Sequence, residues 1–281
     1  DATERLQRVY IDENPHPKGK KDELIKADDG SRYSAVHADY HPWLKRLQEE
    51  KGYYDVFLFD GEGDLVYSVF KERDYATNVR NGQWADSGLG RVFREAANNP
   101  AAGTLAFDDF HAYGPSGGAP ASFIAKPVLD NDGELLGVIA YQMPVGRMNA
   151  VMQQTAGMGE TGQSYLVGQD HLMRTDSRFS GAEETTILSR RVETPAVKKA
   201  LEGKRGTAIK EGAQGATVMA AYRPVSFAGT DWALVTEMQE SEILAPVAEM
   251  RTFLIVAALV VFGALVPALK IELDRALESR G

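Results

Sequence analysis

Gly114, Pro115, Ser116, Gly117 and Gly118 spell the glycine-x-serine-x-glycine pattern that holds a nucleophilic serine on a sharp strand-to-helix turn in hydrolases. That chemistry needs a helix directly behind the serine, to raise its hydroxyl above the sheet. Here Pro120 and the β-rich residues 122–128 follow, so the string reads as a turn between strands. Gly157, Gly159 and Gly162 match a dinucleotide-binding fingerprint, but a helical stretch precedes them and a strand-like one follows, the reverse of the order that places a pyrophosphate on a helix N-terminus. Asp60, Glu62 and Asp64 alternate as calcium-loop ligands do. Leu65 stands where such a loop needs glycine, and a hairpin turn explains the acids better. His37 and His41, four apart on a helical stretch, can bring two imidazoles to one metal, yet a closed site takes four ligands and no third is evident beside them. Asp108 and Asp109 are a candidate acid and base. As strand neighbours they point to opposite faces, which leaves one of them to solvent.

Binding chemistry fits the residues better than bond-breaking chemistry. Between residues 67 and 116 the cations Lys71, Arg73 and Arg80 are interleaved with the aromatics Tyr67, Tyr75, Trp84, Phe110 and Tyr113. This combination can hold a small polar metabolite, a carboxylate among them. The expected ligand-binding set is Tyr67, Lys71, Tyr75, Asn78, Arg80, Trp84, Asp108, Phe110, Tyr113 and Ser116, with no cofactor and no metal. The same aromatics would serve as core in a sheet that buries one face.

The elements that must position these residues fall into two blocks of the same grammar. Residues 34–52 place Val36, Tyr40, Trp43, Leu44 and Leu47 at helical spacing and end on Gly52, while Pro15 and Pro17 interrupt an earlier helix that begins near Thr3. Residues 53–70 read as a hairpin turning through Gly61 and Gly63. A helix at residues 89–98, strands near 103–110 and 121–129, and a second hairpin turning on Asn131, Asp132 and Gly133 complete the first block. A helix-compatible linker at residues 146–158 leads to the second block, 159–240. There, residues 161–175 read as a hairpin, 192–203 as a helix, and 206–240 as closing strands. The expected fold class is α+β: two PAS-like antiparallel-sheet modules carrying helices, followed by one transmembrane helix.

Residues 252–269 run 18 positions without a charge, about 27 Å of helix, enough to span the hydrocarbon of a bilayer. Residues 241–251 form a helical lead into it. Arg251 stands before the run and Lys270, Arg275 and Arg280 after it, so the positive-inside rule puts residues 270–281 in the cytoplasm and residues 1–250 outside. The 281 residues are 43% hydrophobic, enough to bury a core in one large domain or two smaller ones. A net charge of -9 and a pI near 5.2 oppose a nucleic-acid surface, which needs clustered cations. Without cysteine, disulfides, thiolate metal sites and cysteine nucleophiles are excluded. The chain opens on Asp1 with no signal pattern and reads as a cut made within a longer protein.

The runs YHPWLKRLQEEKGYYDVFLFD (40–60), DLVYSVFKERDYATN (64–78), GAPASFIAKPV (118–128) and MQQTAGMGETGQSYLVGQDHLMRTDSRF (152–179) carry a resemblance. They are similar to the double Cache ectodomains of bacterial chemoreceptors, sensor kinases and receptor cyclases, most of all methyl-accepting chemotaxis proteins. The likeness covers nearly all of residues 1–270. It implies a long N-terminal helix along both modules, residues 1–52 as a helical stalk with a loop, and a ligand in the membrane-distal module (53–145). It also implies a homodimer in the bacterial inner membrane. In the amino-acid-sensing branch the distal pocket uses a tyrosine, an arginine followed two residues later by a Trp-Tyr pair, and an aspartate just after a Pro-Tyr. Here Tyr75, Arg80 and Trp84 occur in order, but no Trp-Tyr pair follows Arg80 and no aspartate follows Tyr113, so no amino-acid ligand is assigned. The resemblance favours a chemotaxis output, with a sensor histidine kinase or nucleotide cyclase as alternatives. A membrane-anchored periplasmic hydrolase is the rival of another class, and only the serine string supports it.

Overall fold

Two antiparallel sheets follow one another along the chain in the computed structural model, which describes residues 2–181 and 184–278. The N-terminal helix is short where a long one was expected. Helix α1 (Ala2–Gln7) passes into a single wide turn (Arg8–Asp12), and Pro15 and Pro17 then keep the chain irregular for most of the way to residue 31. The long helix of this region is α2 (Arg32–Lys51). Ser31 caps it by accepting from the Ser34 amide at 3.1 Å, and Gly52, at φ 70°, ends it in the left-handed conformation that glycine takes without strain.

The first sheet contains β1 (Val56–Asp60), β2 (Leu65–Ser68), β3 (Ala106–Tyr113), β4 (Ala119–Leu129) and β5 (Leu135–Gln142), in the order β2-β1-β5-β4-β3. Both faces of β1 are covered, which explains its unbroken apolar run. Phe57 and Phe59 pack with Phe123, Ala125 and Val138 beneath α3 (Gly88–Asn98), which contributes Leu89, Val92, Phe93 and Ala96. Val56, with Tyr67 and Val69, meets Leu44 of α2 on the other face. The turn between β1 and β2 is built by Asp60, whose Oδ1 accepts from the amides of Glu62, Gly63 and Asp64 at 2.9 to 3.0 Å. The hairpin reading of these acids holds.

The stripe that α2 buries differs from the expected one. Ser34, His37, His41, Leu44 and Gln48 face the sheet, while Val36, Tyr40 and Trp43 face outward, the last two 61% exposed. Polar side chains can occupy the inner face because each finds a partner there: His37 Nδ1 lies 2.7 Å from the Ile25 carbonyl and His41 Nε2 2.7 Å from that of Asp22.

Helix α4 (Val145–Met152) leads to the second sheet, in which β6 (Gln163–Val167) is followed by α5 (Pro195–Leu201), β7 (Gly206–Glu211), β8 (Thr217–Phe227) and β9 (Thr230–Gln239). The order is β6-β9-β8-β7. Thr194 caps α5, whose Ala196, Val197 and Ala200 cover Tyr165, Val167, Val218 and Val235. The hairpin expected at residues 161–175 is only half formed: beyond Val167 the chain makes isolated bridges, Val167 to Met173 and Leu172 to Arg191, instead of a second strand. His171 turns there at φ 63°, and Arg174 is drawn away toward the first sheet.

Between the sheets, Phe110, Leu166, Ile187 and Trp232 form a cluster of their own, joined by Phe107, Val145 and Met148. From the end of β9 the chain enters α6 (Glu240–Glu278), a continuous helix of 39 residues and about 58 Å. The expected juxtamembrane and membrane segments are thus one rod, running through Pro246 and Pro267. Residues Glu240–Ile271 are long and apolar enough to cross a membrane, and none of their most apolar window is buried against protein. Arg280, one of the cations flanking the span, lies outside the described residues.

Candidate functional site

A cleft of about 650 Å³ opens on the first module, where three separate pieces of chain converge. The irregular N-terminal segment supplies Ile11, Lys18, Gly19 and Lys21. The start of β1 and the loop after β2 supply Tyr54, Phe70, Lys71, Glu72 and Arg73, and the tip of the β3–β4 hairpin supplies Pro115 and Ser116. Four cationic residues and one acid line it. Arg73 is held by Asp12 at 2.7 Å, and Lys21 donates to the Ile11 carbonyl, so both cations are fixed to the N-terminal segment. Partial burial pulls the Lys21 amine below its ordinary pKa. Glu72 is bridged, with Ser116 Oγ donating to its Oε2 at 2.5 Å and Tyr54 at 3.5 Å from Oε1. Burial, with Glu72 beside it, raises the Tyr54 phenol to about 12.

Beneath the cleft floor the Lys71 side chain turns inward. It is 1% exposed, and Nζ donates to the Ser68 and Val69 carbonyls at 2.5 and 3.2 Å. Three tyrosine rings surround the ammonium, with Nζ 4.6 Å from the ring centre of Tyr67, 5.6 Å from that of Tyr75 and 5.8 Å from that of Tyr10. Burial pulls the Lys71 pKa down and pushes that of Asp55 up, and the charge of each opposes the shift of the other. Asp55 is itself buried, and its Oδ1 accepts from the amides of Val56, Val69 and Phe70, tying the loop to β1. The backbone of Lys71 is left-handed, at φ 56°, a conformation that costs energy in any residue with a Cβ.

Two histidines close the far side of this cage. His37 and His41 stack with ring centres 4.5 Å apart, and His41 Nδ1 lies 2.7 Å from the Tyr67 hydroxyl. Burial and the Lys71 charge hold them down, to about 3 for His37 and about 4 for His41, so both rings are neutral at physiological pH. Among the described residues no group of three or more histidine, aspartate or glutamate side chains is placed to hold a metal. Asp74, fully buried, accepts from the Tyr113 hydroxyl at 2.5 Å, and burial raises its pKa to about 7.

The structure distributes the ten expected ligand residues over several places. Lys71 and Ser116 reach the cleft. Tyr67 and Tyr75 lie in the cage beneath it, and Tyr113 is one layer further in, on Asp74. Trp84 stands near the cleft, its Nε1 3.3 Å from the Arg73 carbonyl, and packs against Gly114, where a Cβ would come 2.5 Å from the ring. Asn78 and Arg80 belong to the β1–β2 turn instead: Asn78 donates to Asp64 at 2.8 Å, and Arg80 donates to the Gly61 carbonyl and lies over Phe93. Asp108 receives a two-pronged bond from Arg91 of α3 at 2.7 and 2.9 Å, and Phe110 packs between the modules. Asp108 and Asp109 do point apart, but neither is left to solvent, because Arg174 of the second module grips Asp109 through Nε and Nη2 at 3.0 and 2.9 Å. Ser116 sits in a strand-to-strand hairpin between Tyr113 and Ala119, so the helix that a nucleophile elbow requires is absent at this place.

Sequence reasoning missed Lys18, Lys21, Tyr54, Phe70 and Glu72. The cluster at residues 18–21 was visible as charge, but nothing in it showed that a loop would fold back over β1 and β2.

The family model described as Cache domain, of the double Cache type, matches residues 14–247. The chain belongs to this Cache family. It is an extracytoplasmic sensory domain, and its paired sheets are the two Cache modules. No curated protein matches the chain. Among solved structures, the periplasmic sensory domain of the Campylobacter jejuni chemoreceptor Tlp1 is similar at a TM-score of 0.53 and 13% identity, covering 86% of this chain and 93% of that one. The extracellular domain of vpHK1S-Z8, described as a histidine kinase, is similar at 0.51 and 12% identity, covering 88% and 92%. The ligand-binding domain of the Pseudomonas aeruginosa chemoreceptor PctC in complex with GABA is similar at 0.47 and 15% identity, covering 85% and 95%. These likenesses concern the fold.

Proposed function

We propose that this Cache protein senses a small anionic metabolite, a carboxylate in the first instance, through the cleft of its first module. The observation that carries the reading is the convergence of Lys18, Lys21 and Arg73 with the Ser116 hydroxyl around one opening in a chain whose net charge is -9. An acidic protein that gathers cations around a cleft is built to attract an anion there. In this reading residues 53–145 are the membrane-distal module and 159–240 the proximal one. Residues 252–269 cross the bacterial inner membrane, and the chain beyond them lies in the cytoplasm. No bond is broken: the protein is a receptor and not an enzyme, and its serine string serves as a hairpin.

The output that fits is chemotaxis, with a histidine kinase or cyclase as the alternative. Transmission follows the covalent and packed path. The hairpin that carries Ser116 into the cleft is the same β3–β4 pair whose Asp109 is held by Arg174 and, at 3.1 Å, by Trp232 Nε1, and Trp232 lies on β9, which runs directly into α6. A ligand that favours one position of the hairpin tip biases the helix through this chain. The outward stripe Val36, Tyr40 and Trp43 of α2 supports a homodimer.

Thermal melting of the whole chain in detergent, screened against organic acids, amino acids, amines and purines, tests the reading. A binding anion at about a hundred times its Kd should stabilise the chain by about 2.7 kcal/mol, and Arg73→Ala with Lys18→Ala should remove the response. No stabilisation by any anion, or a response that survives the double substitution, would sink it.

A further inference from the structure

The ammonium of Lys71 is held as receptors hold a ligand's ammonium. It is buried, bonded to two carbonyls and ringed by Tyr67, Tyr75 and Tyr10, and among the described residues no carboxylate stands within ion-pair distance of it. Desolvated aromatic faces and carbonyl oxygens are the usual recognition chemistry for an organic cation. An ordinary structural lysine snorkels to water, and an apolar side chain would fill the same space without the cost of desolvating a charge. This lysine instead reaches inward from a left-handed backbone position at the cleft floor.

We propose that Lys71 is a specificity-determining plug: its own ammonium fills a site for a primary amine, and so bars amines and amino acids from the first module. Lys71 belongs to both the cage and the cleft lining. A ligand with both an anionic and a cationic end would need both spaces, and the chain leaves only the anionic one open. Lys71 thereby restricts the cleft to anions without an ammonium. The inference deepens the sensing role proposed above, but the cage can be tested whether or not an anion binds the cleft.

Lys71→Ala removes three methylenes and the ammonium, the equivalent of n-propylammonium. The test measures melting of the whole chain in detergent for wild type, Lys71→Ala and Lys71→Met, in sodium chloride, n-propylammonium chloride and tetraethylammonium chloride at matched ionic strength. Lys71→Ala should melt several degrees below wild type and recover at least half of that loss in n-propylammonium only. If Lys71→Ala fails to fold in sodium chloride, recovery of folded protein on exchange into n-propylammonium is the same result. Wild type and Lys71→Met, whose cages are filled, should not respond. The proposal falls if Lys71→Ala ignores n-propylammonium, or if all three proteins respond alike. Failure of the anion reading would appear elsewhere, as wild type indifferent to every organic acid.

Discussion

Asp109→Ala should loosen the joint between the two modules, and the structure allows the size of the effect to be worked out. The guanidinium of Arg174 is 4% exposed and is shared by Asp109, Asp170 at 3.0 Å and the Leu172 carbonyl at 2.9 Å. Removing one partner of a buried pair costs about 3 to 5 kcal/mol, because a charge is left desolvated without compensation. Asp170 remains, although it is 44% exposed and so screened by water, which moves the expected cost to the lower end of that range. The Trp232 indole N–H also loses its acceptor, worth about 1 kcal/mol. The expected total is about 3 to 4 kcal/mol for Asp109→Ala. Asp109→Asn keeps the shape and one acceptor and should cost about half as much. With Trp43 and Trp84 replaced by phenylalanine in every protein compared, Trp232 in the joint makes intrinsic fluorescence a local probe, with the far-ultraviolet signal reporting both sheets. In urea, wild type should unfold in one transition by both probes. In Asp109→Ala the fluorescence midpoint should fall first and separate from the far-ultraviolet one. A double-mutant cycle with Arg174→Ala should return a coupling energy of at least about 1 kcal/mol. A stability change under about 0.5 kcal/mol with coincident transitions would refute the argument that this ion pair joins the modules.

Three further outcomes are expected. Asp74 binds its proton near pH 7 when folded and near 3.8 when unfolded, so its protonation favours the native state as pH falls through that window. Asp74→Asn removes this support, and its stability should drop about 2 kcal/mol more than that of wild type between pH 7 and pH 5; an equal change in unfolding free energy for the two proteins, from urea titrations at both pH values, would contradict the assignment. At the head of α6, Glu242 accepts from the amides of Glu160 and Thr161 at 2.7 and 2.9 Å, clamping the loop before β6 to the helix that leaves the module. Glu242→Ala should therefore speed hydrogen exchange at those two amides while leaving the β9 amides protected, and unchanged exchange would show that the clamp holds nothing in solution. Tyr40→Ser with Trp43→Ser should lower the sedimentation mass of the chain in detergent from two copies to one without lowering its melting temperature; a mass of two copies retained would place the dimer contact elsewhere.

Elements whose signals are local were legible in the sequence. The β1–β2 and β4–β5 turns of the first module, α3 and the proline-led α5 announce themselves within a few residues, through turn chemistry and periodicity. The burial of α2 was not legible, because its apolar stripe points outward and its inner face is polar. His37 and His41 become core residues only once carbonyls at positions 25 and 22, from an irregular stretch, come within reach. The cleft was half legible for the same reason. Lys71, Arg73 and Ser116 stood out as binding types, whereas Lys18 and Lys21 enter the site through a fold-back that no period encodes. Phe110 resembled a ligand aromatic until its partners Leu166, Ile187 and Trp232, more than fifty positions away, made it part of the joint.

The polar interior of the first module bears on how a weak signal can move so large a structure. Two neutral histidines, a caged lysine and a buried aspartate each hold at least one hydrogen bond there, while His37 Nε2 and Asp74 Oδ1 find no partner, and burial disfavours the charged form of every one of them. The loop that carries two of them, residues 70–76, is bounded by left-handed backbone at Lys71 and Ala76, each worth about 1 to 3 kcal/mol of strain. A ligand present at a hundred times its Kd supplies about 2.7 kcal/mol, which would be negligible against a close-packed apolar core but matches the strain stored in this loop. The cleft is built on that loop. In the proposed anion-sensing reading, binding energy of ordinary size would meet a strained segment, and Ser116, bonded to Glu72 of the same loop, would link it to the hairpin whose Asp109 is held by Arg174 of the second module.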